Sequence, residues 1–161
     1  MYDKRLREAI LSAKWSFSCV AIESLTDLLI ENRLNELHSR DIDLVLPIPQ
    51  SWQNRTRRRF NQAARIGHVL AKHLEVSLEE HVLCRSRNSR PQKRVAANNR
   101  YDNQKGAFRL KDPHVVNGAN ILLTDDVLTT GATCSEAASL LKAAGAKSIT
   151  VAVLARVLSP R

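Results

Sequence analysis

The residue types best suited to chemistry stand together in residues 121–133, which read ILLTDDVLTTGAT. The apolar start of this string predicts a buried strand that ends in two adjacent carboxylates, Asp125 and Asp126. A short loop with several hydroxyl groups around one glycine follows, and a helix begins directly after it. Because ligands of open α/β sheets bind at the carboxyl ends of strands, this junction is a candidate ligand site.

The loop and the start of the helix suit a phosphate group. A helix N-terminus presents unpaired N–H groups and a partial positive charge. Gly131 allows the backbone to fold around an anion, and the threonines add hydroxyl donors. The predicted phosphate-binding residues are Thr129, Thr130, Gly131, Ala132 and Thr133.

The two carboxylates suit a different group, because they repel phosphate but accept hydrogen bonds from sugar hydroxyls or from hydrated Mg²⁺. A phosphate beside a vicinal diol describes a ribose 5-phosphate. The alternative is that Asp125 and Asp126 are turn residues and that the threonines form an ordinary helix cap. We favour the ligand site, because the complete string falls at a strand–loop–helix junction.

Alternating strands and helices must position this string. Apolar periodicity predicts helices at residues 3–14, 24–37 (with Ser24 as N-cap), 60–74 and 134–144, and strands at 43–46, 106–110, 120–124 and 148–154. Residues 85–105 are rich in Arg, Asn and Gln and predict a loop. The strand–helix–strand order at the C-terminal end implies parallel strands, and therefore a single α/β domain with one sheet covered on both faces.

Composition limits the classes of protein. The 161 residues are 43% hydrophobic and only 4% aromatic, which excludes wholesale disorder and predicts an aliphatic core. A net charge of +9 predicts anionic partners. No apolar run approaches the ~18 residues of a membrane helix, and no signal peptide is evident. The three cysteines form no CxxC pair, so we expect small buried thiols, no zinc and a cytoplasmic location.

The string at 121–133 resembles the phosphoribosyl pyrophosphate (PRPP) signature of type I phosphoribosyltransferases. Further matches resemble the ComF family, the competence-protein and GntX-like branch of that superfamily. They occur in the family's order over essentially the whole chain: LPIP at 46–49, RRFNQA at 58–63, SRPQ at 89–92, RYDN at 100–103, GAF at 106–108 and VLAR at 153–156. Two features depart from the family. Arg59 stands where ComF proteins have glycine, and the four-cysteine zinc module of many members has no counterpart here.

The resemblance implies a type I phosphoribosyltransferase fold, with a mostly parallel sheet of about five strands flanked by helices, a small hood, and a mobile loop at about 85–105. It implies that Asp125 and Asp126 are the catalytic pair on the ribose hydroxyls and that the loop before the helix holds the 5-phosphate. Mg²⁺ would bridge pyrophosphate and ribose with no direct protein ligand, meeting Asp125 and Asp126 through water. The segment after Pro47 and two basic clusters, one within residues 55–59 and one within residues 85–105, supply the remaining candidates. The predicted pyrophosphate contacts are Pro49 and Gln50 from that segment and Arg58, Arg87 and Arg100 from the clusters.

The resemblance implies Mg²⁺-dependent PRPP binding and transfer of the phosphoribosyl group to a nitrogen acceptor, with release of pyrophosphate. Two alternatives remain open at this point. One is a non-catalytic DNA-uptake component that binds single-stranded DNA or a helicase partner. The other is a regulator that senses PRPP or nucleotides. The partners considered are therefore PRPP or a ribose phosphate, single-stranded DNA, competence or helicase proteins, and a second copy of the chain, with no membrane insertion.

Overall fold

The computed structural model describes residues 19–50, 60–86 and 106–157. In these ranges, the chain forms three α-helices and six strands. In chain order they are α1 (Cys19–His38), β1 (Leu44–Pro47), α2 (Gln62–Leu74), β2 (Ser77–Leu78), β3 (Leu83–Arg85), β4 (Phe108–Leu110), a 3₁₀ turn (Pro113–Val116), β5 (Asn120–Leu128), α3 (Ala132–Ala143) and β6 (Ser148–Arg156).

Four of the strands form the main sheet, in the order β2-β1-β5-β6, and all of its pairings are parallel. The predicted α/β class and mostly parallel sheet are confirmed, with four strands in the described residues where about five were expected. Strands β3 and β4 form a separate antiparallel ribbon. Along the chain, β3 precedes residues 87–105 and β4 follows them.

The two faces of the sheet bury two aliphatic cores. Strand residues alternate between the faces, as Val45 and Leu122 pack with α1 and α2 while Leu46 and Leu123 pack with α3 and the ribbon. In the strand order, the connection β1–α2–β2 leads toward one edge of the sheet, and the connection β5–α3–β6 leads toward the opposite edge. Since parallel crossovers are right-handed, α2 and α3 lie on opposite faces. The predicted cover on both faces of the main sheet is confirmed in the described part of the chain, which also contains a second, two-stranded sheet in addition to the single one predicted.

Helix α2 packs unusually close to the sheet. Asn61 caps its N-terminus, with the side-chain oxygen accepting a hydrogen bond from the Ala63 N–H at 3.2 Å. The fully buried Thr124 hydroxyl donates to the Ala63 carbonyl at 2.9 Å. A Cβ on Gly67 would lie 3.0 Å from Leu78 and 3.2 Å from the Thr124 hydroxyl, so a glycine is needed for this approach. The N-terminus of α2 is thereby fixed against β5.

Several predicted bounds differ from the structure. Helix α1 begins at Cys19, so Ser24 is an exposed residue inside the helix rather than its N-cap. The strand predicted at 120–124 continues to Leu128, because β6 keeps pairing with β5 as far as Leu128↔Arg156. The two carboxylates therefore lie within β5, not after it.

Strands β2 and β3 were not predicted, because segments of two and three residues show no periodicity. The predicted loop at 85–105 is wrong at its first residue, since Arg85 belongs to β3. The rest of that loop from residue 87, and the predicted helix at 3–14, lie outside the described residues. Of the helices that the structure describes, none combines the length and the hydropathy needed to cross a membrane.

Candidate functional site

A cleft of about 170 Å³ lies at the carboxyl edge of the main sheet, between β1 and β5. Strand β1 ends at Pro47, which pairs with Thr124, whereas β5 continues through the next four residues. The sheet is therefore open beside Asp125 and Asp126. This is also where the chain connections diverge to opposite sides, which is the usual ligand position in open α/β sheets. The lining residues are Ile48, Pro49, Gln50, Asn61, Gln62, Ala63, Arg85, Asp125, Asp126 and Thr133.

Two helices begin at this cleft, one from each face of the sheet. The first turn of α2 lines it through Gln62 and Ala63, and the first turn of α3 lines it through Thr133. Both helices are longer than three turns, and each directs the positive end of its dipole toward the same space. The cleft is therefore suited to a ligand with more than one anionic group.

The carboxylate pair lies on the floor of the cleft. The Asp126 N–H donates to Asp125 Oδ1 at 2.9 Å, and the Val127 N–H donates to Asp126 Oδ1 at 2.8 Å. Burial first, and then the neighbouring charge of Asp126, raises the pKa of Asp125 to about 6, although the charge of Arg85 opposes the shift. Asp125 is thus an ionisable acceptor that changes charge just below neutral pH.

The predicted phosphate loop follows directly. Gly131 is the N-cap of α3 with φ of 77°, a left-handed conformation that glycine adopts without strain. The Ala132 N–H bonds the Thr130 hydroxyl at 3.4 Å, and the Ser135 N–H bonds the Gly131 carbonyl at 2.8 Å. Thr129 and Thr130 are exposed, Ala132 is buried, and Thr133 lines the cleft. The structure therefore brings the five predicted residues together at the start of α3.

Cys134 lies next to this loop as a buried thiol, with its Sγ 4.0 Å from Asp125 Oδ2. Burial first, and then the negative charge of Asp125, raises the pKa of the thiol to about 12. The thiol therefore stays protonated and packs as a small apolar side chain, as predicted. Cys19 and Cys84 are only partly buried.

Arg85 belongs to the site, although the sequence did not single it out. Its Nε–H donates to the Pro49 carbonyl at 3.1 Å, and its guanidinium lies 4.8 Å from the centroid of the Phe108 ring. Burial lowers the pKa of Arg85, and the charge of Asp125 partly compensates. There was one indication in the sequence, because Arg85 stands at the start of a basic segment. No pattern in the neighbouring residues predicts that its side chain lies in the cleft.

The predicted pyrophosphate contacts are only partly within the structure. Pro49 and Gln50 line the cleft, and the Gln50 amide donates to the Phe60 carbonyl. The Asn61 amide donates to the Ile48 carbonyl at 3.1 Å, so the described residues before and after segment 51–59 are bonded to each other beside the cleft. Arg58, Arg87 and Arg100 lie outside the described residues.

The described side chains of the site offer few ligands for a metal ion. In ranges 19–50, 60–86 and 106–157, no group of three or more His, Cys, Asp or Glu side chains could hold an ion. Two carboxylates in an open cleft do fit Mg²⁺ that keeps several waters and takes phosphate oxygens from a ligand, which is its usual mode of binding.

The fold and the site together define a class. The phosphoribosyl transferase domain family matches residues 61–161, and the chain belongs to this family. Its place in the ComF branch follows from two relatives. The chain is 34% identical to DNA utilization protein YhgH of Escherichia coli K12, over 98% of this chain and 70% of that protein. It is 30% identical to Competence protein F of Haemophilus influenzae, over 71% of this chain and 50% of that protein.

Solved structures agree on the fold. Adenine phosphoribosyltransferase of Saccharomyces cerevisiae matches with a TM-score of 0.52 at 17% identity, over 86% of this chain and 68% of that one. The allosteric regulatory enzyme of purine biosynthesis matches with a TM-score of 0.55 at 20% identity, over 84% of this chain and 26% of that one. The type I phosphoribosyltransferase fold predicted from residues 121–133 is thus confirmed.

Proposed function

We propose that the cleft binds the phosphoribosyl group of PRPP and that the protein transfers this group to a nitrogen acceptor. One observation supports this most strongly. An adjacent carboxylate pair and the glycine-started N-terminus of α3 lie in one cleft, at the point where the sheet opens. Few ligands need a diol-binding pair and a phosphate-binding helix side by side, and a ribose 5-phosphate needs both.

The residues would act mainly by position and charge. The 5-phosphate would bind at the turn from Thr129 to Thr133, and Asp125 and Asp126 would accept hydrogen bonds from the ribose hydroxyls. On transfer, the bond between the ribose anomeric carbon and a pyrophosphate oxygen breaks, and a bond from that carbon to the acceptor nitrogen forms. The pyrophosphate leaves with the bonding electrons, and the acceptor nitrogen loses a proton. The negative charge of ionised Asp125, beside the ribose, would stabilise the positive charge that develops on the ribose during transfer.

Magnesium fits this proposal as a partner of the ligand. When bound with PRPP, Mg²⁺ would neutralise part of the pyrophosphate charge, which would make pyrophosphate a better leaving group. Asp125 and Asp126 would hold the ion through its water molecules rather than directly. Asp125 and Asp126 would orient the ribose from a fixed position, because Thr124, directly before them, bonds β5 to the first turn of α2.

Titration calorimetry with the pair removed tests the proposal. The purified protein is titrated with PRPP and with ribose 5-phosphate in the presence of Mg²⁺, beside Asp125→Asn/Asp126→Asn. We expect both ligands to bind the wild type and the variant to lose at least about a hundredfold in affinity. Asp112→Asn, which changes an exposed carboxylate beside the 3₁₀ turn, is the control and should bind normally. A folded wild type that binds neither ligand contradicts the proposal. Binding without pyrophosphate release from any acceptor would favour the sensing regulator instead.

A second candidate function rests on how charge is distributed. Segments 51–59 and 87–105 together contain 10 Lys and Arg against a single Asp, whereas the whole chain contains 25 Lys and Arg against 16 Asp and Glu. The described residues on either side of each segment are hydrogen-bonded to each other, Gln50 to Phe60 and Ser86 to Ala107 at 2.8 Å, and both Gln50 and Arg85 line the cleft.

We therefore propose single-stranded nucleic acid as a second ligand, in keeping with the names of the DNA utilization and competence relatives. Fluorescence anisotropy with a labelled oligonucleotide should show binding that weakens steeply as salt rises. The Asp125/Asp126 double variant should bind the oligonucleotide as well as the wild type does. Absence of binding at low salt removes this candidate and leaves PRPP binding unaffected.

A further inference from the structure

Four hydrogen bonds form a closed ring beside the cleft. The Thr124 hydroxyl donates to the Ala63 carbonyl at 2.9 Å, and the Ala63 N–H donates to the Asn61 side-chain oxygen at 3.2 Å. The Asn61 side-chain amide donates to the Ile48 carbonyl at 3.1 Å, and the Ile48 N–H donates to the Thr124 carbonyl at 2.9 Å. This Thr124 ring therefore links β5 to the segment after β1 and to the start of α2.

The Thr124 ring joins two parts of the cleft that come from different elements. One part is a wall formed by residues 48–50 and 61–63, all of which line the cleft. The other part is the floor, where Asp125 and Asp126 directly follow Thr124 in β5. Because the other three ring residues belong to the wall and Thr124 adjoins the floor, the ring sets the distance between the wall and the carboxylates.

Thr124 is suited to hold this arrangement without touching a ligand. It is fully buried, and it is not one of the described residues that line the cleft. A Cβ on Gly67 would lie 3.2 Å from the Thr124 hydroxyl, so α2 approaches β5 closely enough for a side chain as short as threonine to reach its backbone. Valine has nearly the same shape but lacks the donor, so Thr124→Val removes this bond and little else.

The floor has a support that does not depend on the ring. Strand β6 pairs with Thr124 through Ala152 and with Asp125 through Val153, and α3 leads from β5 to this same strand. Loss of the ring should therefore loosen the wall, while the carboxylates and the start of α3 keep their positions. A ligand that touches only the floor and α3 should not be affected, whereas a ligand that also touches the wall should bind less well.

We propose that Thr124 is a positioning residue, which acts through the ring to hold the wall where a ligand bound on the floor also reaches it. This inference rests on the proposed function, because Pro49 and Gln50 of the wall are predicted contacts of the pyrophosphate group. PRPP spans the floor and the wall, whereas ribose 5-phosphate occupies only the floor and the start of α3. The ring therefore supports the affinity for PRPP alone, since a wall that is already in place need not be ordered when the ligand binds.

Titration calorimetry with Mg²⁺ compares PRPP and ribose 5-phosphate on wild type, Thr124→Val, Thr124→Ser and Thr26→Val. Thr26 is the matched control, because it is equally buried and its hydroxyl donates to the Ile22 carbonyl at 2.7 Å within α1. We expect Thr124→Val to weaken PRPP about five- to thirtyfold and ribose 5-phosphate by less than about twofold. Thr124→Ser keeps the hydroxyl and should retain PRPP affinity within about threefold, and Thr26→Val should bind both ligands normally.

A second break in the ring keeps the inference testable if Thr124→Val does not fold. Asn61→Ser retains an N-cap for α2 but is too short to bond the Ile48 carbonyl, and it should weaken PRPP and not ribose 5-phosphate. If the four bonds act as one ring, the variant Thr124→Val/Asn61→Ser should lose no more PRPP affinity than the weaker of the two single variants.

Three outcomes overturn the inference while the proposed function stands. They are unchanged PRPP affinity in the ring variants, an equal loss for both ligands, and the same loss in Thr26→Val. Full addition of the two losses in the double variant also overturns it, because independent bonds do not form a unit. A wild type that binds neither PRPP nor ribose 5-phosphate overturns both the inference and the proposed function.

Discussion

Similar polar side chains lie at the amino end and at the carboxyl end of the main sheet, but their hydrogen-bond partners differ. At the amino end, Asp43 Oδ2 accepts a hydrogen bond from the Asn120 N–H at 2.7 Å. The Asn120 side chain donates to the Asp41 carbonyl at 3.0 Å and accepts from the Ser148 hydroxyl at 2.8 Å. At the carboxyl end, Asp125 and Asp126 accept bonds from the N–H group of the following residue and lie beside each other in a cleft.

This difference separates a structural network from a binding site. The amino-end groups satisfy one another across β1, β5 and β6, so the network joins three strands and stabilises the sheet. The carboxyl-end pair lies in a cleft that a ligand can enter, and burial beside a like charge opposes ionisation of Asp125. Residues of the same type therefore stabilise the fold at one edge and destabilise it at the other.

The largest effect is expected from breaking the amino-end network. Asn120→Ala leaves the Ser148 hydroxyl and the Asp41 carbonyl without their partner and should lower the free energy of unfolding by about 2–4 kcal/mol. Urea unfolding measures this loss, and PRPP affinity should not change. Asn32→Ala is the matched control, because Asn32 bonds the Leu28 carbonyl from an exposed position on α1. Equal losses for the two variants would show that the network adds nothing.

A smaller effect of opposite sign is expected at the carboxyl end. The pKa of Asp125 in the folded protein, about 6, lies above its ordinary 3.8. The folded state therefore binds this proton more tightly than the unfolded state, and wild-type stability falls as pH rises from about 4 to above 6. Asp125→Asn avoids that loss and should be about 1–3 kcal/mol more stable than wild type near pH 7.

Urea unfolding of Asp125→Asn and wild type at several pH values measures this difference, which should vanish below about pH 4. Asp43→Ala sharpens the comparison, because removing an aspartate at the amino end should lower stability near pH 7. An Asp125→Asn variant that is less stable than wild type at neutral pH would contradict the assignment of Asp125 as a destabilising group.

The smallest expected effect concerns Ser148, at the edge of the amino-end network. Ser148→Ala removes one donor to the Asn120 side chain, which keeps its bond to Asp41, and should cost about 1 kcal/mol. Ser139→Ala removes an exposed hydroxyl that bonds the Ser135 carbonyl within α3, and should change stability by less than about 0.5 kcal/mol. Thermal unfolding of the two variants side by side tests this, and a larger loss for Ser139→Ala would be inconsistent with a cooperative network.

The amino-acid sequence by itself determined the class of fold and the central part of the site. Apolar runs at 43–46, 120–124 and 148–154 predicted buried parallel strands. The structure contains the parallel strands β1, β5 and β6 there, but most of β6 is only partly buried. The string at 121–133 predicted paired carboxylates followed by a glycine-started helix, and both are present. These features could be predicted because each depends on local physics, namely side-chain periodicity, the conformational freedom of glycine and the groups left unpaired at a helix end.

Only the tertiary structure decided where the cleft opens and which cation enters it. Asp125 is exposed to a ligand because β1 ends at Pro47 while β5 continues with β6, which is a difference in length between strands distant in sequence. Arg85 reaches the cleft for two reasons. Strand β3 pairs with β4, so that Arg85 lies opposite Phe108, which is 23 positions further along the chain, and the Pro49 carbonyl accepts a hydrogen bond from the Arg85 side chain. No local pattern encodes such contacts, since pairing energies between distant segments outweigh the propensities of strands only two or three residues long.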